Sequence, residues 1–230
     1  MVLPSSKGTI ERPGEQPFRQ STQFFYLTGV VEPSAILLID RRTKASTLFL
    51  KPRDLRREKM IFGPGLYPGP EAVRATGIEA VLPRDEFKHA VAHLANDGTA
   101  IYTPFRPEVL GSASSSDTVA LARATKEDAW DGRESREEVF RAKLKAASPD
   151  SELRDLDPIL DRLRSTKSPA EIALFREATR ITELAIIEAM RDARPGMYEY
   201  ELQADFSSRT PDMRTSRLPF PSRSPVSNRQ

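Results

Sequence analysis

The chain has 230 residues, which is enough for one sizeable domain and part of a second. Its 35 basic and 33 acidic residues nearly balance, so net charge indicates neither a nucleic acid nor a membrane surface as a partner. The absence of cysteine excludes disulfides and thiolate metal sites and is compatible with a reducing compartment. No apolar run reaches the length of a membrane span and residues 1–16 lack the apolar core of a secretory signal, so we expect a cytoplasmic protein.

The first 50 residues contain three short apolar runs. Met1–Gln16 is polar and interrupted by Pro4, Gly8, Pro13 and Gly14. The aromatic run Phe24–Leu27, closed by Gly29, predicts a short strand. The runs Ala35–Ile39 and Ser46–Leu50 predict two strands of a hairpin, because only a polar turn separates them, and the unbroken first run is typical of a strand buried on both faces.

Helical and strand patterns then alternate up to about residue 105. The predicted elements are a charged helix at Asp54–Met60, a loop at Gly63–Pro70, a helix at Glu71–Ala75, a strand at Glu79–Leu82, a helix at Asp85–Asn96 and a strand at Thr99–Tyr102. In the last helix, Phe87, Val91 and Leu94 form one apolar stripe. This alternation predicts an α/β layered domain.

The next segment, up to residue 165, is mostly helical in pattern. Pro104–Ser116 predicts a loop, and Asp117–Trp130 fits neither a helix nor a strand clearly. Ser135–Ala147 predicts an amphipathic helix, and Asp155–Arg164 predicts a short connecting helix. We place a domain boundary between residues 150 and 165.

A strong helix start follows at Ser168. Ser168 at the N-cap, Pro169 at the first helical position and Glu171 at the third form a capping box with a proline where its missing N–H costs nothing. Apolar and threonine side chains then recur every three or four residues and predict a one-sided face: Ile172, Phe175, Thr179, Thr182, Ile186 and Met190. Pro195-Gly196 predicts the end of this helix, and a second helix is predicted from about Glu199.

Two segments resemble one known family. KSPAEIALFREA…ARPGMYEYEL, from Lys167, is similar to the opening of the catalytic domain of Xaa-Pro aminopeptidases, the metallopeptidase family that includes prolidase. PFRQSTQFFYLTGVVEPSAILLID, Pro17–Asp40, resembles the hallmark of that family's N-terminal domain. Two motifs in the right order, about 130 residues apart, are far more specific than either alone, and the resemblance covers about residues 1–206.

The resemblance implies an α/β fold in three segments. Residues 1–155 are expected to form the family's N-terminal domain, a mixed sheet flanked by helices, whose usual first helix is shortened here. Residues 156–206 are expected to form a connecting helix and the first helices of an incomplete pita-bread α+β catalytic domain. Residues 207–230 include six Ser, five Arg and four Pro, so we expect a disordered tail. Because the switch interrupts a helical stretch, a reading-frame error or early truncation is favoured over a genuine basic tail.

The chemistry that the resemblance implies is hydrolysis of the bond between an N-terminal residue and a following proline. Two metal ions, usually Mn(II), are held in that family by carboxylates and one histidine. These ligands lie downstream of Phe206, and beyond that residue this chain has no His, no Glu and a single Asp, Asp212. We therefore expect no catalytic residue, no metal ligand and no cofactor in this chain, and no activity of the chain alone. Its substrate-binding residues are not predicted.

For the other candidate residues we favour a structural role over a functional one. His89 and His93 have the i, i+4 spacing of zinc peptidases, but Ala90 stands where the base glutamate would be, so a solvated helix face is favoured. The charge run from Arg53 to Lys59 is typical of a solvated helix, and Ile61 stands where some family members have a substrate-contacting tryptophan. Trp130 is interpreted as a packing anchor. The hallmark residues Arg19-Gln20 and Tyr26–Gly29 are expected to have a structural role, with the aromatics in the core.

Three functional hypotheses follow. The first is an inactive fragment of an Xaa-Pro aminopeptidase whose intact relatives cleave proline-containing peptides. The second is a non-catalytic protein-binding or oligomerisation module of the same fold, which pairs with itself or with a full-length paralogue. The third is a product that does not fold stably, because the apolar face of the Ser168 helix lacks the domain that would cover it. We expect no nucleic-acid or membrane partner, since no binding motif accompanies the arginines of the tail.

Overall fold

The computed structural model describes residues 1–6, 18–55, 65–95, 100–109, 114–199 and 201–202. The chain divides into two compact units, residues 1–162 and residues 163–230. None of the helices within the described residues is long and apolar enough to cross a membrane. The tail from Ser207, residues 56–64 with most of the charge run and Ile61, and residues 96–99 lie outside the described residues.

The first unit is built on a four-stranded mixed sheet. Its strands are β1 (Val2–Pro4), β2 (Ile36–Asp40), β3 (Ala45–Leu50) and β4 (Ala80–Pro83), in that spatial order. The β1–β2 and β2–β3 pairs are antiparallel, and β3 pairs in parallel with β4. A separate parallel pair joins β5 (Ile101–Thr103) to β6 (Leu153–Asp155). The mixed sheet flanked by helices and the β2–β3 hairpin are confirmed.

Helices connect and flank these strands. They are α1 (Thr22–Thr28), α2 (Pro70–Thr76), α3 (Phe87–Ala95, after a 3₁₀ turn at Arg84–Glu86), α4 (Ser115–Glu127), α5 (Arg136–Ala147) and α6 (Asp157–Ser165). The predictions for α2, α3, α5, β4 and β5 are confirmed to within about two residues at each end, a margin expected of helix ends. The ambiguous stretch from Asp117 is the helix α4, which begins at a capping box of Ser114 and Asp117.

The sheet is apolar on both faces, which is why β2 is an unbroken apolar run. One buried cluster contains Leu37 and Leu48 together with Phe24 of α1 and Leu160 of α6. The other contains Ile36, Leu38 and Phe49 together with Val91 of α3 and Leu144 of α5. Alternate residues of one strand therefore enter different clusters, as the period of two requires.

The predicted strand at Phe24–Leu27 is wrong, because these residues form α1. Ser21 caps the helix by accepting a hydrogen bond from the Phe24 N–H, and Gly29 ends it in a left-handed conformation with φ 64°. The Gly29 N–H donates to the Phe25 carbonyl, and glycine suits this position because a residue with a Cβ adopts the left-handed conformation only under strain. These two caps outweigh the strand preference of the aromatics, so Phe24 is buried while Tyr26 is 37% exposed.

Two short strands were not predicted. In β1, Val2 and Leu3 are 1% exposed and pair with β2, although the segment around them is polar. In β6, Leu153 is followed by two charged residues, and the last of them, Asp155, was assigned to the connecting helix, which begins only at Asp157. Both strands have three residues, too few for a period of two to stand out from chance.

The second unit contains the long helix α7 (Pro169–Asp192). Its predicted capping box is confirmed: Ser168 Oγ accepts from the Glu171 N–H at 3.2 Å, and Glu171 Oε2 accepts from the Ser168 N–H at 2.8 Å. Residues 199, 201 and 202 are helical, in agreement with a second helix from about Glu199.

Candidate functional site

The two histidines do not form a metal site. His89 and His93 lie one turn apart on α3 and both are exposed. Within the described ranges, no three His, Asp or Glu residues lie close enough together to hold a metal ion. The predicted solvated helix face agrees with this geometry.

The hallmark segment is organised around the side-chain amide of Gln20, which is 7% exposed. Its Oε1 accepts hydrogen bonds from the Ser6 and Ser21 N–H groups at 2.8 and 2.9 Å. Its Nε2 donates to the Glu32 carbonyl at 2.9 Å and, more weakly, to the Val30 carbonyl at 3.4 Å. Gln20 therefore joins three chain segments, and nothing in this arrangement leaves its amide available to a ligand.

The junction between α1, β5 and α6 is a second buried polar centre, formed by Asp157. This residue is 2% exposed. Its Oδ2 accepts from the Phe105 and Arg106 N–H groups at 2.9 and 2.8 Å, and its Oδ1 accepts from Gln23 Nε2 at 3.0 Å. These donors from other segments of the chain are thus spared the cost of burial without a hydrogen-bond partner.

The pKa values of the two carboxyl groups at this junction, Asp157 and Asp155, shift in opposite directions. Burial alone would raise the pKa of Asp157, but the hydrogen bonds from Gln23, Arg106 and Phe105 outweigh it and hold that pKa below its usual value. Burial raises the pKa of the neighbouring Asp155. Arg106 also pairs with the exposed Asp161 at 2.5 Å. Asp155 in turn accepts from the Asp157 N–H at 3.0 Å, so the three carboxylates are engaged by amides and a guanidinium.

A third polar cluster fixes the N-terminal segment. Ser6 Oγ donates to Glu108, whose second oxygen accepts from Arg136 Nη1 at 2.8 Å, while Arg136 Nη2 donates to the Ser5 carbonyl. Glu137 beside them is 7% exposed, and burial raises its pKa. The cluster ties the segment after β1 to the start of α5, which is a structural role.

The interpretation of Trp130 as a packing anchor is wrong. Its side chain is 99% exposed, in the turn that follows α4. The carboxylate of Asp128 accepts from the Trp130 and Asp131 N–H groups at 2.8 and 2.7 Å, so the turn is fixed by its backbone and not by the indole. The aromatic residue carried no periodicity from which its direction could have been predicted.

Comparison with known proteins finds a family model that matches the N-terminal part of the chain. Residues 2–102 match the family model described as "Aminopeptidase P, N-terminal domain". The Xaa-Pro aminopeptidase of Escherichia coli is 28% identical over 209 residues, which is 89% of this chain and 43% of that protein. The Xaa-Pro aminopeptidase of Haemophilus influenzae is 31% identical over 192 residues, 82% of this chain and 37% of that protein.

The chain is therefore similar to the Xaa-Pro aminopeptidases. The match to relatives continues beyond the N-terminal domain, because it covers more than four fifths of the chain. The chain spans less than half the length of these curated relatives.

Solved structures of family members agree with the fold. A structure described as a putative aminopeptidase P from Bacillus anthracis superposes with a TM-score of 0.68 over 92% of this chain and 46% of that chain, at 22% identity. Escherichia coli aminopeptidase P with the inhibitor Pro-Leu gives a TM-score of 0.64 at 27% identity, and its zinc-substituted form with product gives 0.63 at 26%. Each of these two comparisons covers 92% of this chain and 45% of the other.

The described part of this chain does not fit the metal that the zinc-substituted relative contains. Of the neighbouring carboxylates, Asp157 accepts from the Phe105 and Arg106 N–H groups and from Gln23 Nε2, Asp161 accepts from the Arg106 guanidinium, and Asp155 accepts from the Asp157 N–H. A divalent ion there would have to displace these donors. We therefore assign no metal ligand and no catalytic residue among the described residues.

Proposed function

We propose that this chain supplies the N-terminal domain and the first catalytic-domain helix of an Xaa-Pro aminopeptidase. The observation that supports this most directly is the agreement of three features: the match over residues 2–102, the fold of the first unit and the capped helix α7 that follows it. In this proposal residues 1–155 form the N-terminal domain and residues 156–206 open the catalytic domain.

The proposed parent reaction is removal of an N-terminal residue from a peptide whose second residue is proline. The names of the relatives and the dipeptide Pro-Leu bound by the Escherichia coli enzyme support this class of substrate. Two Mn(II) ions are proposed as cofactors of the intact enzyme, and none is proposed for this chain. The place proposed for the enzyme is the cytoplasm.

We expect the chain by itself to lack peptidase activity. The described residues hold no carboxylate–histidine cluster, and the residues beyond Phe206 contain neither His nor Glu. The test is an assay on an Xaa-Pro peptide supplemented with Mn(II). Turnover by the purified chain would contradict this part of the proposal.

A chimeric enzyme tests the remaining part. Residues 1–206 of this chain would replace the matching segment of the Escherichia coli Xaa-Pro aminopeptidase. A chimera that folds and cleaves the same peptide supports the assignment of both segments. A folded chimera without activity would contradict it, because the metal ligands would then be present and the segments supplied here would be at fault.

A second candidate function is a non-catalytic binding or oligomerisation module. The specific observation in its favour is the exposure of apolar side chains on α7, where Phe175 and Met190 are 59% and 74% exposed. Surfaces of this kind mark interaction sites when several such residues are contiguous.

A further inference from the structure

We draw no further inference here: the strongest candidate, the exposed indole of Trp130 in the turn between α4 and α5, carries nothing because no contact within the described residues shows what covers it.

Discussion

The two units of this chain use apolar side chains in opposite ways. In residues 1–162 the sheet is covered on both faces, and Phe24, Phe49, Leu48 and Leu50 are at most 1% exposed. In the described part of residues 163–230, Ala185 is the only buried apolar side chain, whereas Phe175, Ile186 and Met190 are exposed. The same amino-acid types therefore form a core in the first unit and a surface in the second. The lesson is that a capping box marks where a helix begins whatever covers the helix, whereas strands as short as these are stable only when a core is packed against the sheet.

The largest expected effect comes from a matched pair of phenylalanines, each in a helix. Phe24→Ala should lower the free energy of unfolding by about 3–5 kcal/mol, because it leaves a cavity in a closed core. Phe175→Ala should change it by less than about 0.5 kcal/mol, since a side chain 59% exposed leaves no cavity. Urea unfolding followed by circular dichroism measures both values. Similar losses of unfolding free energy for the two variants would contradict the difference in side-chain burial between the two units.

The next effect concerns the buried carboxylate at the start of α6. Asp157→Asn should lower the stability at neutral pH by about 2–3 kcal/mol, because the amide cannot accept from all the N–H groups that meet the carboxylate. The control Asp161→Asn removes one half-exposed partner of Arg106 and should cost less than about 1 kcal/mol. Chemical unfolding at pH 7 measures both, and equal losses would contradict the role of burial.

The pH dependence of these variants gives a further check on Asp157. Its folded pKa is depressed, so its contribution is present above the unfolded pKa of about 4 and disappears as the pH falls through the folded value. The difference between the original chain and Asp157→Asn should therefore shrink below about pH 4. A difference that stays constant from about pH 7 to about pH 3 would show that the charge of Asp157 is not its cause.

A smaller effect compares two capping boxes, one in each unit. Ser135 caps α5 with Glu138, and Ser168 caps α7 with Glu171. Ser135→Ala and Ser168→Ala should each cost about 1 kcal/mol of helix stability. Hydrogen exchange localises the change: amides at the start of α5 or of α7, respectively, should exchange about fivefold faster. Ser168→Ala with unchanged exchange at residues 170–173 would mean that the cap does not hold α7.

The smallest effect has the opposite sign. Burial raises the pKa of Glu137, so its contribution is most favourable below the unfolded pKa of about 4.5 and is lost as the pH rises through the folded value. Glu137→Gln should therefore raise the melting temperature at about pH 7 and have little effect at about pH 4. Thermal unfolding at the two pH values provides the measurement, and a variant that is less stable at neutral pH would refute the expected sign.

Elements with a clear hydrophobic period or a clear capping motif could be predicted from the sequence. The hairpin of β2 and β3, the stripe of α3 and the start of α7 were predicted because each is repeated over several residues or marked by a specific side-chain pair. The helix α1 was missed because its evidence was a serine and a glycine at its ends, while its interior is aromatic. Its two caps decide the structure, although they lie outside the aromatic run that suggested a strand.

Directions of side chains were harder to predict than the elements themselves. The pattern of α7 predicted one apolar face through Ile172, Phe175 and Ile186, and the helix also has a covered face through Leu174, Ile181 and Ala185. The residues of both faces recur with the 3.6-residue period of a helix, so the sequence pattern does not show which face is buried. Tertiary packing decides this. The same reason applies to Trp130, whose exposure depends on a turn held by Asp128. The polar centres at Gln20 and Asp157 join residues far apart in sequence, and no local pattern reveals them.

The hydrogen bonds of Gln20 also limit which residues its position can accept. Its oxygen must receive two N–H groups while its nitrogen faces two carbonyls, so one side chain has to be a donor and an acceptor at once. A glutamate of the same length would set a negative charge against the carbonyls of Val30 and Glu32, and a leucine would leave both N–H groups unpaired. The position therefore requires a side chain that both accepts and donates hydrogen bonds, and side-chain size alone does not satisfy it. Gln20 therefore fixes the register of the segments at Ser6 and at Val30–Glu32. A shift of either segment by one residue would place a donor where Gln20 needs an acceptor, or an acceptor where it needs a donor.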